Sequence, residues 1–188
     1  MILKDQIKCV RQSSQGYPAS LLAGLGSGTS AEFWAAGPME LLSQPKTGFF
    51  CSSKCPGRII LKTFDAITQM RDEGQILMGG FHSMMEWECL SILLRGRQLI
   101  IWVSSTKHCW NAIETGTPAS LPAGATAHPV ALRARQQKND SGPRRTAQSF
   151  VAALCDRMFV AHAAANSRTA ALVEEFRTKG KPIFTNIT

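Results

Sequence analysis

The chain has 188 residues, of which 44% are hydrophobic and 18% charged, and 21 lysines and arginines with 13 acidic residues give it a formal charge of +8. This length is enough for one domain with a substantial core, and the composition is that of a folded rather than a disordered protein. The apolar runs fall well short of the roughly 20 residues that span a bilayer, and the amino terminus lacks a secretion-signal pattern. We therefore expect a cytoplasmic protein without a membrane partner, whose cysteines are reduced and whose charge suits a polyanion.

Residues 1–46 contain short apolar clusters separated by a glycine-rich break. Leu21 and Leu22 precede the break at residues 24–28, and a second cluster extends from Phe33 to Leu42. These clusters predict a few short helices, which we expect to form an N-terminal extension packed on a main domain of residues 47–188.

From residue 47 onward, short apolar runs alternate with helical patterns. The predicted strands are residues 48–53, 75–80, 98–103, 157–162 and 182–185. Helices are expected to start at Pro56, after Ser83, after Thr146 and at residues 166–169. Short strands that alternate with helices indicate βαβ units and a parallel sheet. The predicted fold class is therefore a doubly wound α/β domain, with a mostly parallel sheet and helices on both faces.

Residues 115–145 interrupt this alternation and form the most basic part of the chain. Several prolines exclude a long helix, although Val130 to Leu132 fit one extra short strand. The segment carries a net charge of +4, from Arg133, Arg135, Lys138, Arg144 and Arg145 against Asp140. We interpret it as an irregular basic insertion.

Three segments rich in small and polar residues follow predicted strands, at 51–57, 79–86 and 165–169. Ligands of open parallel sheets bind beyond the carboxyl ends of the strands, where small residues and helix N-termini let backbone N–H groups approach a phosphate. Lys54 and Arg168 add positive charge, and Phe81 or His82 offers a stacking surface. The candidate ligand-binding residues are Ser52, Ser53, Lys54, Gly79, Gly80, Phe81, His82, Ser83, Glu86, Asn166, Ser167, Arg168 and Thr169.

Other arrangements of reactive residues are weaker. His82 and Glu86 carry metal-ligating atoms but lack the spacing of metal motifs. Cys51 and Cys55 suit thiols that line a pocket better than a redox pair. A serine nucleophile would need a Gly-x-Ser-x-Gly turn, which the sequence lacks. We therefore assign no catalytic residue, no metal and no cofactor.

Taken in order, these motifs resemble the Rossmann-like domain of the DNA-processing protein A (DprA/Smf) family, within the wider SMF/DprA-LOG (SLOG) superfamily. Residues 17–22 resemble its Tyr-Pro-x-x-Leu entry, and residues 52–54 (Ser-Ser-Lys) stand where the family has Gly-Ser-Arg. Residues 78–80 (Met-Gly-Gly) fall on its Ser-Gly-Gly or Val-Ser-Gly turn, and residues 166–169 (Asn-Ser-Arg-Thr) fall on its Ser-Gly-Ser turn. The resemblance covers nearly the whole chain and is strongest to short, stand-alone members.

The resemblance implies that the protein binds single-stranded DNA across a basic pocket, dimerises, and loads a strand-exchange recombinase during DNA processing or uptake. Phosphates would then contact Lys54, Arg144, Arg145 and Arg168. The sequence departs from the family at Lys54, which replaces an arginine, and at residues 147–149 (Ala-Gln-Ser), which replace Arg-Asn-Arg.

Two further hypotheses stay open. Other superfamily members bind nucleotides or nucleotide-derived signals, or hydrolyse them, and Glu86 or His82 would then be placed for acid–base work. The hydrolase branch's Pro-Gly-Gly-x-Gly-Thr motif is absent, which favours a non-catalytic role. Met84 and Trp87 would alternatively belong to a dimer surface.

Overall fold

Hydrogen bonds join eight strands into one sheet in the computed structural model, which describes residues 7–25, 32–104, 130–134 and 143–185. The strands are β1 (Ile7–Val10), β2 (Phe33–Ala36), β3 (Thr47–Cys51), β4 (Leu77–Gly79), β5 (Ile100–Ser104), β6 (Val130–Ala134), β7 (Arg157–His162) and β8 (Ile183–Thr185). Their order across the sheet is β1-β2-β6-β5-β4-β3-β7-β8. The six strands from β6 to β8 are parallel, and β1 and β2 extend the sheet in antiparallel pairing.

The direction of strand addition reverses at β3. The chain moves outward from β3 through β4 and β5 to β6, and then returns to place β7 on the other side of β3. This reversal creates the crevice in which doubly wound sheets bind ligands. The predicted Rossmann-like α/β class is therefore confirmed, including the short strand at residues 130–132.

Helices cover both faces of the sheet. They are α1 (Ala19–Leu25), a 3-10 helix (Met39–Ser43), α2 (Gly57–Asp72), α3 (Met84–Leu93), α4 (Pro143–Leu154) and α5 (Arg168–Thr178). One core cluster contains buried residues of α2 and α3, and the other contains those of α1, α4 and α5. Successive strand residues belong to opposite clusters, as Phe49 and Phe50 do, which explains why the strands are apolar at nearly every position. None of the described helices is long and apolar enough to cross a bilayer.

The N-terminal region contains two strands that its local pattern did not predict. The expected helical character holds for α1 and the 3-10 helix, but Ile7–Val10 and Phe33–Ala36 are strands. The reason is a distant partner, because β2 pairs with β6 and β1 pairs with β2. The division of the chain at residue 46 stays a prediction.

Most helix starts lie close to the sequence signals. Ser83 caps α3 as expected, and α5 begins at Arg168, within the predicted residues 166–169, with Ser167 as its cap. α2 begins at Gly57, so Pro56 is its cap and not its first residue. The expectation that Thr146 caps a helix is wrong, because α4 already begins at Pro143. Proline is favourable in the first turn of a helix, where its missing N–H is not needed.

Gly48 of β3 lies directly against a buried thiol. A Cβ added there would stand 2.7 Å from Cys155 Sγ and 2.9 Å from a Phe50 ring carbon. We expect Gly48→Ala to lower the free energy of unfolding by about 1–3 kcal/mol through overpacking, measured by urea denaturation. Gly57→Ala is the matched control, since no atom lies within 4 Å of a Cβ at that position. Equal stability of the two variants would contradict this packing.

The buried thiol of Cys155 should make the folded protein less stable at high pH. Burial raises the pKa of Cys155 from 9.0 to about 12, against the opposing charge of Lys181. As the pH rises, the thiol therefore ionises in the unfolded chain before it ionises in the folded protein. Its contribution to the free energy of unfolding is complete below pH 9 and is lost as the pH rises towards 12. We expect stability to fall between pH 9 and 10 by about 1 kcal/mol more in the wild type than in Cys155→Ala, measured by urea denaturation at both pH values. Identical pH dependence in the two proteins would contradict the shift.

Candidate ligand site at the strand reversal

A cavity of about 310 Å³ lies where β3 and β7 end side by side. This is the point at which the strand order reverses, so the cavity occupies the usual ligand position of the fold. Its lining residues are Cys51, Ser52, Ser53, Lys54, Ser83, Glu86, Gln148, Ala164, Ala165, Ser167, Arg168 and Thr169.

Ser52 connects the two strand ends. Its backbone N–H donates to His162 O at 2.9 Å, and its hydroxyl accepts from the N–H of Ala164 at 3.0 Å. The same hydroxyl donates to Ser167 Oγ at 3.1 Å. Ser52 is only 5% exposed, so these bonds hold the loop after β3 against the loop after β7. The next two residues, Ser53 and Lys54, are exposed and line the cavity.

The N-terminus of α5 opens onto the cavity. Ser167 Oγ accepts from the Ala170 N–H at 3.1 Å, and Thr169 is buried. Asn166 precedes the cap with a φ of 57°, a left-handed conformation that asparagine tolerates better than most residues. The partial positive charge of a helix N-terminus favours an anion at this end of the cavity.

Arg168 is the cavity cation whose position is fixed by a hydrogen bond. Its Nη2 donates to Ser149 Oγ of α4 at 2.9 Å. Its Nε is buried and has no acceptor among the residues that the structure describes. Because α5 contributes the arginine and α4 contributes the serine, the guanidinium bridges two helices at the rim of the cavity.

Glu86 forms the acidic part of the lining, but its oxygens are occupied by backbone groups. Oε2 accepts from the N–H groups of His82 and Ser83 at 2.9 and 3.0 Å, and Oε1 accepts from the N–H of Cys51 at 3.3 Å. Ser83 Oγ accepts from the Glu86 N–H in return, which completes a capping box at α3. Three N–H donors partly neutralise the carboxylate, so an anion in the cavity meets less repulsion than a bare carboxylate would cause.

Four sequence candidates at the end of β4 lie outside the cavity lining. The expectation that Phe81 offers a stacking surface is wrong, because the ring is 4% exposed and packs with Phe49 at a centroid distance of 6.4 Å. A Cβ on Gly79 would stand 2.9 Å from the Phe81 ring, and one on Gly80 would stand 2.8 Å from the His82 ring. The two glycines therefore make room for aromatic rings rather than for a ligand.

Cys51, Cys55, Cys89 and Cys155 are free thiols. Burial raises the pKa of Cys51, which the neighbouring Cys55 raises further, and burial also raises the pKa of Cys89. The thiol of Cys51 is therefore neutral where it lines the cavity. This agrees with its interpretation as a thiol that lines a pocket rather than as one half of a redox pair.

The structure brings together nine of the predicted ligand residues and adds others. The nine in or beside the cavity are Ser52, Ser53, Lys54, Ser83, Glu86, Asn166, Ser167, Arg168 and Thr169. Gln148 and Ala164 were not predicted from the sequence. A single glutamine in a helix gives no local signal of a binding site. The one available sign was that Gln148 lies in residues 147–149, where the sequence departs from the family pattern. The backbone of Arg144 and Arg145 belongs to the first turn of α4, whereas their side chains lie outside the described residues, as does most of the basic insertion.

Comparison with known proteins gives a fold relationship. No protein-family model and no curated protein matches the sequence. The chain is similar to DNA processing protein A from Streptococcus pneumoniae, with a TM-score of 0.68, 16% identity and 96% of this chain covered. It is also similar to DNA processing protein A from Helicobacter pylori, with a TM-score of 0.60 and again 16% identity over 96% of this chain.

The chain spans 62% of the length of the pneumococcal protein and 80% of the Helicobacter protein. The Moco carrier protein of Chlamydomonas reinhardtii aligns with a TM-score of 0.48, which is too remote to support an argument. At these identities the comparisons establish the fold alone, which is that of DNA processing protein A.

Removal of the Glu86 carboxylate tests its structural role. We expect Glu86→Ala to lower the free energy of unfolding by about 2–4 kcal/mol, because three N–H groups, two buried and one partly buried, lose their acceptor. Thermal or urea denaturation measures the loss. Glu88→Ala on the exposed side of the same helix should change stability by no more than about 0.5 kcal/mol. A Glu86→Ala variant as stable as Glu88→Ala would refute the assignment.

Proposed function

We propose that this chain, which has the fold of DNA processing protein A, binds single-stranded DNA at the cavity beside β3 and β7 without catalysing a reaction. The Helicobacter protein that shares its fold binds single-stranded DNA. Because this chain spans under two thirds of the pneumococcal protein, the activity of that whole protein is part of the proposal and not a finding.

The observation that carries the proposal is the chemistry of the cavity lining. Lys54 and Arg168 supply two positive charges, Ser52 and Ser167 supply hydroxyls, and the N-terminus of α5 adds backbone polarity. Glu86, the one carboxylate among the described lining residues, is already bonded to backbone N–H groups. Such a set of groups is suited to a phosphate.

Phosphate contacts rather than base contacts dominate the proposed binding. Phe81 belongs to the core, and the half-buried His82 packs against Gly80, so these two rings of the described chain offer little surface to a base. The net charge of +8 extends the electrostatic attraction beyond the cavity. We propose that Arg144 and Arg145 continue the phosphate path, since they belong to the first turn of α4 and Gln148 of the same helix lines the cavity.

A nucleotide-like small ligand is the second candidate, and the size of the cavity favours it. About 310 Å³ lies at the lower end of the range of small-molecule pockets, roughly 300–1,000 Å³. A nucleoside monophosphate would place its phosphate on the same groups. The homodimer and the recombinase partner implied by the family resemblance stay predictions, as does the cytoplasmic location expected from the sequence.

Salt dependence of oligonucleotide binding tests the function. We expect a fluorescent single-stranded oligonucleotide to bind with an affinity that falls steeply with salt, because bound cations are released from its phosphates. Lys54→Ala and Arg168→Ala should each weaken binding and reduce the slope of log K against log salt by about 0.7, the value for one phosphate of a single strand. Fluorescence anisotropy at several salt concentrations measures both quantities.

Arg177→Ala is the matched control, because Arg177 lies in α5 like Arg168 but is exposed and paired with Glu174 at 2.8 Å. Its slope should equal that of the wild type. Absence of salt-sensitive binding at low ionic strength would refute the DNA proposal. A thermal shift with a nucleoside monophosphate in that case would support the second candidate.

A further inference from the structure

The two cations of the cavity differ in how firmly they are held. Lys54 is exposed, follows the end of β3, and extends from a loop. Arg168 is the first residue of α5, and its side chain is fastened to a different helix through Ser149. An ammonium on a flexible stem acts as a point charge, whereas a planar guanidinium held in place offers donors in set directions.

Two observations show that the Arg168 side chain is constrained along its length. Its Nε is buried, so the end of the stem is enclosed by protein. Its Nη2 donates to Ser149 Oγ at 2.9 Å, which fixes the rotation of the guanidinium plane. The N–H groups of Nη1 and the second N–H of Nη2 are then the donors left for an acceptor in the cavity that Arg168 lines.

Ser149 is a half-buried residue of α4 and is not itself part of the cavity lining. Its neighbour Gln148 does line the cavity, so this turn of α4 contributes one side chain to the wall and one to the support of a wall cation. A serine hydroxyl is short and has few rotamers, which suits it to hold a guanidinium in one orientation.

We propose that Ser149 is a positioning residue that orients Arg168 to bind one phosphate of the ligand through two N–H groups, while Lys54 acts as a non-directional charge. The inference rests on the proposed function and adds that the two cations bind phosphate in different ways, Arg168 through directed hydrogen bonds and Lys54 through charge alone. Charge-assisted bonds from two N–H groups of one guanidinium are stronger and more directional than a single ammonium contact.

Anisotropy titrations with a single-stranded oligonucleotide across a salt series separate orientation from charge. Ser149→Ala keeps every charge, so its salt slope should equal the wild-type slope while its affinity falls about three- to tenfold. Arg168→Lys should behave in the same way, since it keeps the charge and loses the paired donors. Lys54→Ala, by contrast, removes a charge, so its salt slope should fall by about 0.7.

Ser149→Thr is the rescue variant, because threonine retains a hydroxyl at the same position, and it should restore at least half of the lost affinity. Ser91→Ala is the matched control, since Ser91 is another half-buried helical serine whose hydroxyl bonds only to Trp87 O of its own helix among the described contacts. Melting temperatures of all variants show that each is folded.

The outcomes distinguish the two proposals. If the wild type binds the oligonucleotide and Ser149→Ala binds it with the same affinity, the positioning role is overturned and the proposed function stays intact. A changed salt slope in Ser149→Ala would also overturn it, because the serine would then affect the number of bound phosphates. Failure of the wild type to bind the oligonucleotide would overturn both proposals.

Discussion

The carboxylate of Glu86 connects the end of β3 to the start of α3. It accepts the N–H of Cys51 on one oxygen and the N–H groups of His82 and Ser83 on the other, so the ends of β3 and β4 are held in one arrangement. Phe81, in the turn between β4 and α3, has a φ of 48°. This left-handed conformation is costly for a bulky residue. The costly turn persists because it aims two N–H groups at one acceptor and places the aromatic ring in the core. The loop after β3, which carries Lys54 to the cavity, starts from this fixed point.

The electrostatics of the cavity follow from that constraint. A carboxylate beside a bound phosphate would normally oppose binding. The carboxylate of Glu86 accepts three backbone N–H groups, which reduce its repulsion of an anion in the cavity. The positive end of α5 and the two cations then set the sign of the local potential. A single helix start thus contributes a cap through Ser167, a cation through Arg168 and a buried side chain through Thr169. Because these three residues are consecutive, the short polar segment 167–169 is enough to form this side of the cavity.

Local signals predicted most of the parallel domain, and distant contacts explain what they did not predict. The strand at residues 157–162 and the cap at Ser83 were predicted directly, because an apolar run and a capping serine act through near neighbours. β2 was not predicted, since its four residues become a strand only through pairing with β6, about a hundred positions further on. The burial of Phe81 was likewise hidden, because one left-handed residue redirects the ring towards Phe49. Gln148 lies in a helix, where neither its type nor its spacing marks it as a cavity residue.

The hydrogen bond between Ser52 and Ser167 joins residues that are 115 positions apart. During synthesis, the loop after β3 leaves the ribosome long before its partner exists, and it has no second wall until β7 has paired beside β3. Contacts of such long range form late, because the chain entropy lost in closing so large a loop must be offset by the rest of the sheet. The cavity wall that these two serines join is therefore complete only after the sheet has assembled as far as β7.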